Sequence, residues 1–140
     1  MQVNSIVQTV LFFCLMGCAG YMDIRKREIP NALWTLVAII SFLDFRAVNL
    51  FGILAALPFL IVAIIDPAAI GGGDIKLTAA VGLVIGLFRT LVGVCFGLCA
   101  VIAFHSILKL FCIGKVKEAK RISYPLAPFL AAGFISTYFL

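Results

Sequence analysis

Long apolar runs separated by short charged stretches leave this chain few ways to fold. The first run extends from about Val3 to Met22, enough residues to cross a hydrocarbon layer of roughly 30 Å as a helix. Further runs cover about Ala32 to Leu43, Val48 to Ile65, Leu77 to Phe88, Thr90 to Leu108 and Pro125 to Leu140. A soluble fold of 140 residues must cover itself with polar side chains. Here 64% of the residues are hydrophobic and 12% charged, against roughly 45–50% and 25% in a soluble domain. The expected fold is all-α: one membrane-embedded domain over residues 1–140, polytopic, with about six transmembrane helices and no soluble domain.

Only Phe88-Arg89-Thr90 separates the fourth and fifth runs. As one helix, Leu77 to Leu108 would be about 48 Å long, too long for one upright span. Two short spans turning at Phe88-Arg89-Thr90 are expected instead, with Gly82/Gly86 and Gly93/Gly97 letting the two helices pack closely. Pro58 is expected to kink the third run, and Pro30 suits the first turn of the second helix.

The net charge of +5 is distributed as topology-setting charge. With six spans, the first, third and fifth loops hold nine of the eleven Lys and Arg residues, and Arg46 and Arg89 fall in the other two. The positive-inside rule then places the odd loops in the cytoplasm and both termini outside. Five spans would put the last basic loop, Lys109 to Arg121, outside. No basic face is interleaved with exposed aromatics, so nucleic-acid binding is not expected. Met1 to Ser5 lacks the basic residues of a secretory signal, and the first run is expected to be a retained anchor. Leu15-Met16-Gly17-Cys18 looks like a lipoprotein cleavage box but lacks that basic start; it is read as a chance match. The five cysteines, Cys14, Cys18, Cys95, Cys99 and Cys112, form no C-x-x-C, and four lie inside apolar runs. They are expected to be small packing residues rather than metal ligands.

Two acids stand where acids are costly. Asp23 follows the first run, and Asp74 ends Gly71-Gly72-Gly73-Asp74 between two others. The charge count puts both on one face of the membrane. Two carboxylates held together share a proton, so one serves as acid and the other as base on a water. The competing reading is that both are ordinary acids at helix ends. The glycines permit positive φ and the close approach of another backbone, which suits an extended substrate strand; a plain flexible turn also accounts for them. A phosphate loop is excluded because no G-K-[ST] follows. Lys76 either tunes the acid pair or anchors the helix end by snorkelling. His105, the one histidine, is expected to pack between helices.

Three segments carry a family resemblance: Asp23-Ile24-Arg25 with Ile29-Pro30-Asn31; Gly71-Gly72-Gly73-Asp74-Ile75-Lys76-Leu77; and Tyr124-Pro125-Leu126-Ala127-Pro128-Phe129. In order and spacing they resemble the type IV prepilin leader peptidases, membrane aspartic proteases of the G-x-G-D type. The resemblance implies that Asp23 and Asp74 are catalytic, that Gly71, Gly72, Gly73 and Lys76 belong to the substrate-binding or motif region, and that no cofactor or metal is needed. It implies a multi-pass protein of the inner (cytoplasmic) membrane. Its partners would be a prepilin or pseudopilin precursor and the lipid bilayer, with cleavage after a Gly or similar small residue ahead of the substrate's apolar helix. Glu28 and Glu118 are candidates to meet the substrate's basic leader. Larger members carry paired C-x-x-C sequences in a cytosolic insertion after the first span, linked to N-methylation. Here the first loop is short and has no cysteine. The resemblance is therefore to the peptidase-only form of tight-adherence (Flp-type) pilus systems, without methyltransferase activity. The alternatives are a small proton-coupled transporter, since membrane acids also relay protons, and a non-catalytic scaffold. Cleavage of a prepilin-like peptide by the purified protein separates these readings.

Overall fold

The computed structural model describes residues 3–26, 29–44, 46–66, 70–111 and 126–140. Among them no strand occurs, as expected for an all-α chain. Helix α1 is Val3–Lys26, and α2 is Asn31–Ile40, continued by a 3-10 turn over Ser41–Asp44. A 3-10 helix, Ala47–Ala56, runs directly into α3, Leu57–Ile65. Then come α4, Gly72–Ile85, α5, Leu87–Phe111, and α6, Ala127–Tyr138. Among the described residues three helical segments are long and apolar enough to cross a membrane: Val3–Lys26, Ala47–Ile65 and Leu87–Ile107. Asn31–Asp44 and Ala127–Tyr138 are shorter apolar helices. Fewer than a third of the residues in each long span are buried inside the protein. The rest present side chains such as Ile64, Ile65 and Ile102 outward, as lipid-facing surfaces do.

Ten residues of 3-10 helix is an uncommon length. The tighter coil rises about 2.0 Å per residue against 1.5 Å in an α-helix. Segment 47–65 therefore reaches about 33 Å with nineteen residues. Pro58, expected as a kink, sits in the first turn of α3, where the 3-10 coil gives way to the α-helix. Proline has no N–H to give to the preceding 3-10 turn, which suits the change of coil at this position.

Helix α4 is the centre of the bundle. Its buried residues Leu77, Thr78, Ala80, Val81, Gly82, Val84 and Ile85 cover more than half of its circumference, and Ile75, Ala79 and Leu83 on the remaining face are half-buried. Around it, Phe12 and Met16 of α1, Val37 of α2, Phe59 of α3, Val94 of α5 and Phe134 of α6 form one core. The glycine stripes make this packing close, but between other partners than expected. Gly82 meets Gly52 of the 3-10 helix, where a methyl on either residue would overlap the other's backbone. Gly93 and Gly97 face Gly133, Leu130 and Phe134 of α6. The stripes thus seat α4 and α5 on different neighbours rather than on each other.

Two boundaries and the exposure of five side chains depart from the sequence expectations. Helix α1 continues through Asp23 to Lys26, so that acid is on a helix and not in a loop. Arg25 and Lys26 are good helix formers and favour a helix C-terminus, where the backbone dipole is negative. The corner between α4 and α5 falls at Gly86, not at Arg89. Gly86 has φ 87° and ψ 167°, open to glycine and costly for any other residue. The α4 ladder ends on its N–H and the α5 ladder begins on its carbonyl, leaving Arg89 inside the first turn of α5. The cysteines that were expected to pack, Cys14, Cys18, Cys95 and Cys99, lie exposed on the outer faces of α1 and α5. His105 also lies on an exposed face of α5. Cys112, Glu28, Glu118, Tyr124, Pro125 and most of the last basic loop lie outside the described residues.

The corner supplies a stability test. Gly86→Ala forces a side chain into a glycine-only conformation, with its Cβ 3.1 Å from Asn49 Oδ1, and is expected to cost about 1–3 kcal/mol. Gly17→Ala adds a methyl in open space on α1 and is expected to be neutral or stabilising by up to about 1 kcal/mol. Reversible unfolding of both variants in detergent checks the pair; equal stabilities would refute the corner.

Candidate active site

Asp23 reaches the protein interior through helical periodicity. Phe12, Met16, Ala19, Gly20 and Asp23 form the buried stripe of α1, at spacings of three and four. Its neighbours Tyr21, Ile24 and Arg25 face out, with Arg25 Nη1 donating to Tyr21 Oη at 3.3 Å. Asp74 arrives from the other side, in the first turn of the central helix α4. Gly71 is the N-cap of that helix, Gly72 and Gly73 begin it, and the Asp74 N–H closes a turn on the Gly71 carbonyl at 3.0 Å. Thr78 Oγ1 donates to the Asp74 carbonyl at 2.8 Å, which satisfies a buried hydroxyl within the helix. Both carboxylates are 8% exposed.

The two acids line one cleft of about 500 Å³. Met22, Asp23 and Lys26 of α1 form one wall, Ile29, Pro30 and Asn31 the second, and Gly71 to Asp74 the third. Trp34 Nε1 donates to Asn31 Oδ1 at 3.3 Å and holds that amide at the start of α2. None of the three motif glycines has positive φ among the described residues; Gly86 alone does. Close approach, and not a left-handed turn, is their structural use. A Cβ on Gly73 would stand 3.0 Å from Ile29 Cβ, and one on Gly71 would stand 3.4 Å from Asp74 Oδ2. Gly72 opens onto free space at the cleft.

The environments of the two carboxylates differ. Asp23 Oδ2 accepts a hydrogen bond from the backbone N–H of Ala127, 3.0 Å away, at the first residue of α6. That N–H has no partner within its own helix, and a helix N-terminus favours negative charge. Gly20 makes the meeting possible: a Cβ there would be 3.3 Å from Pro128 Cα, so α1 and the first turn of α6 pass in near contact. Asp74 Oδ1 is buried and has no hydrogen-bond partner. Asp74 stands ahead of the apolar run that begins at Leu77, outside the spanning segment. Burial, and secondly the charge of Asp23, push its carboxyl up to about 6.

Lys76 points elsewhere. It is not among the residues lining the cleft, and its ammonium lies 5.5 Å from the centre of the Trp34 ring, within cation–π range. Among the described residues the cation that lines the cleft is Lys26. Sequence reasoning gave no role to Lys26, Asn31 or the Ala127 N–H. Pro128 held a usable signal for the last, since proline in a first turn marks a helix start with unpaired N–H groups.

The titration of Asp74 tests this geometry. Asp23→Asn removes the second cause of its shift and leaves the first. The Asp74 midpoint is therefore expected to fall from about 6 part of the way to the ordinary carboxylate range. Infrared spectra of the carboxyl stretch across a pH series check this; an unchanged midpoint would mean the two acids do not sense each other.

The chain matches the family model described as "Type IV leader peptidase family" over residues 10–113. It is 33% identical to a Bacillus subtilis (strain 168) protein named "Prepilin leader peptidase/N-methyltransferase", over 150 aligned positions that take in 96% of this chain and 56% of the relative. The chain thus spans a little over half the length of that curated relative. No solved structure matches it. With the family match extending over well more than half of its residues, the chain belongs to the type IV leader peptidase family.

Proposed function

We propose that this protein is a membrane aspartic endopeptidase that removes the leader of type IV prepilin-like precursors, using Asp23 and Asp74 to activate water. The observation that carries this reading is the pair of nearly buried carboxylates on one cleft, one hydrogen-bonded by a backbone N–H and the other with an unpartnered buried oxygen. The family match and the printed name of the relative support the reaction class. We place the cleft at the cytoplasmic face of the inner membrane, in a six-span arrangement with both termini outside, on the distribution of Lys and Arg.

The asymmetry of the pair assigns the roles. Asp23, which accepts the Ala127 N–H, is assigned as the base; Asp74, whose carboxyl is pushed up by burial, keeps the proton and is the acid. Asp23 takes a proton from water as the hydroxide oxygen bonds to the scissile carbonyl carbon. Asp74 gives its proton to the carbonyl oxygen, forming a neutral tetrahedral diol. In collapse, the C–N bond breaks as Asp23 passes its proton to the leaving nitrogen. One diol hydroxyl returns a proton to Asp74 as the carboxylic acid product forms. No cofactor enters this scheme. Gly71 to Gly73 leave room for an extended substrate backbone beside Asp74, and the substrate's apolar helix lies against the enzyme in the bilayer. The name of the longer relative includes N-methylation. Only two residues separate Lys26 from Ile29 in this chain, neither of them cysteine, and we infer the peptidase reaction alone.

Three measurements test this on the full chain in detergent with a prepilin-like peptide. Asp23→Asn and Asp74→Asn are each expected to abolish cleavage, and cleavage retained by either variant would refute the pair. Replacing Ala127 by lactic acid removes the N–H and keeps the methyl. A hydrogen bond to a charged group contributes about 1.5–3 kcal/mol, so kcat/KM is expected to fall on the order of ten- to hundredfold; an unchanged value would remove Ala127 from the mechanism. Asp74 holds its proton below its raised midpoint and loses it above. kcat/KM should therefore decline as pH rises through about 6. A profile flat from pH 5 to 8 would contradict the assignment of Asp74 as acid.

A further inference from the structure

A second cavity, of about 650 Å³, lies at the opposite end of the bundle. It opens beside Gln8 of α1, and Asp23 is about 22 Å further along the same helix. The reaction proposed for the aspartate cleft makes no use of it. Its basic groups come from two turns: Arg46 from the linker between the 3-10 segments, and Arg89 from the first turn of α5. Asp44 is the carboxylate among its lining residues, and it pairs loosely with Arg46, 3.9 Å apart and well exposed. Among the described residues Arg89 has no acidic partner. The cavity therefore holds an excess of positive charge with room beside it.

The remaining lining is both polar and apolar. Its polar groups are held in place by hydrogen bonds. Gln8, 3% exposed, donates from Nε2 to the Ile40 carbonyl at 3.1 Å, and the Thr9 and Tyr138 hydroxyls share a bond of 2.8 Å. Ile6, Val10, Ile85 and Phe139 are apolar lining residues. Phe139 is 72% exposed, and Phe88, next to Arg89, is 74% exposed. These outward-facing phenyl rings offer apolar surface beside the guanidiniums, which hydrocarbon can cover. A soluble anion would use the guanidiniums and leave the apolar lining uncovered. A lipid uses both.

We propose that this cavity binds the phosphate headgroup of an anionic phospholipid, with Arg46 and Arg89 on the phosphate and Ile6, Val10 and Phe139 against the first acyl carbons. Planar guanidiniums suit a phosphodiester, and the cation of a zwitterionic headgroup meets repulsion where Arg89 is unpaired. The site is independent of the peptidase reading, and its readout is binding.

The full chain, purified in a neutral detergent, is titrated with dioctanoyl phosphatidylglycerol, with dioctanoyl phosphatidylcholine and with inorganic phosphate. Binding is followed by native mass spectrometry and by the shift in melting temperature. Wild type is expected to prefer phosphatidylglycerol. Arg46→Gln and Arg89→Gln should each weaken it on the order of fivefold and the double variant about thirtyfold, with phosphatidylcholine hardly affected. Both arginines are exposed, and unchanged melting of the lipid-free variants verifies that they fold. Equal binding of the two lipids by wild type, or unchanged phosphatidylglycerol binding by the double variant, would overturn the proposal. Inorganic phosphate binding as tightly as the lipid would show that the apolar lining contributes nothing, and would overturn the lipid assignment.

Discussion

The structure turns on the burial of α4. A helix buried over most of its surface has little freedom to shift, so its N-terminus is placed where its neighbours hold it. Gly52 against Gly82 brings the 3-10 helix to backbone contact with it, and Val37 of α2 shares its core. The C-terminal turn of α1 and the first turn of α4 consequently open on the same cleft. On the face of α4 that carries the exposed Lys76, Asp74 would sit beside solvent as an ordinary first-turn acid, stabilised by the helix dipole. Burial changes that outcome. It overrides the favourable dipole and pushes the carboxyl up to about 6.

A symmetric pair of acids would leave the shared proton without a home. Here α6 breaks the symmetry: its first N–H donates to Asp23, while Asp74 Oδ1 finds no donor. The contact spans 104 positions of sequence and depends on Gly20 letting α1 and α6 approach to near contact. In the proposed mechanism the division of labour between acid and base thus originates in helix packing rather than in any difference between the two side chains. The same bundle carries a polar cavity at its other end, where two arginines share the lining with apolar residues. The two cavities therefore differ in their charged lining: two carboxylates with Lys26 in one, two guanidiniums with Asp44 in the other.

Much of this was legible in the residues. Apolar runs specified helices, because 64% hydrophobic content leaves no polar coat for a soluble fold. Asp23 and Asp74 stood out as acids at the margins of those runs. The motif order pointed to the family to which the chain belongs. Helix boundaries were harder to read. Arg89 looked like a turn because it is charged, whereas the chain turns at Gly86, because backbone conformation decides where a helix can break. Asp23 looked like a loop residue for the same reason, yet Arg25 and Lys26 extend α1 past it.

Composition and local pattern thus settled the all-α class and the two candidate acids, since both follow from the cost of polar groups near lipid. Tertiary packing decided the rest. It chose the partners of each glycine stripe, put Lys76 over Trp34 and away from the cleft, and aimed the Ala127 N–H at Asp23. Those outcomes depend on which helix faces meet at closest approach. Hydrophobic pattern gives the inward side of a helix but not the neighbour that it meets, and α4, apolar on nearly every side, carries no directional pattern at all.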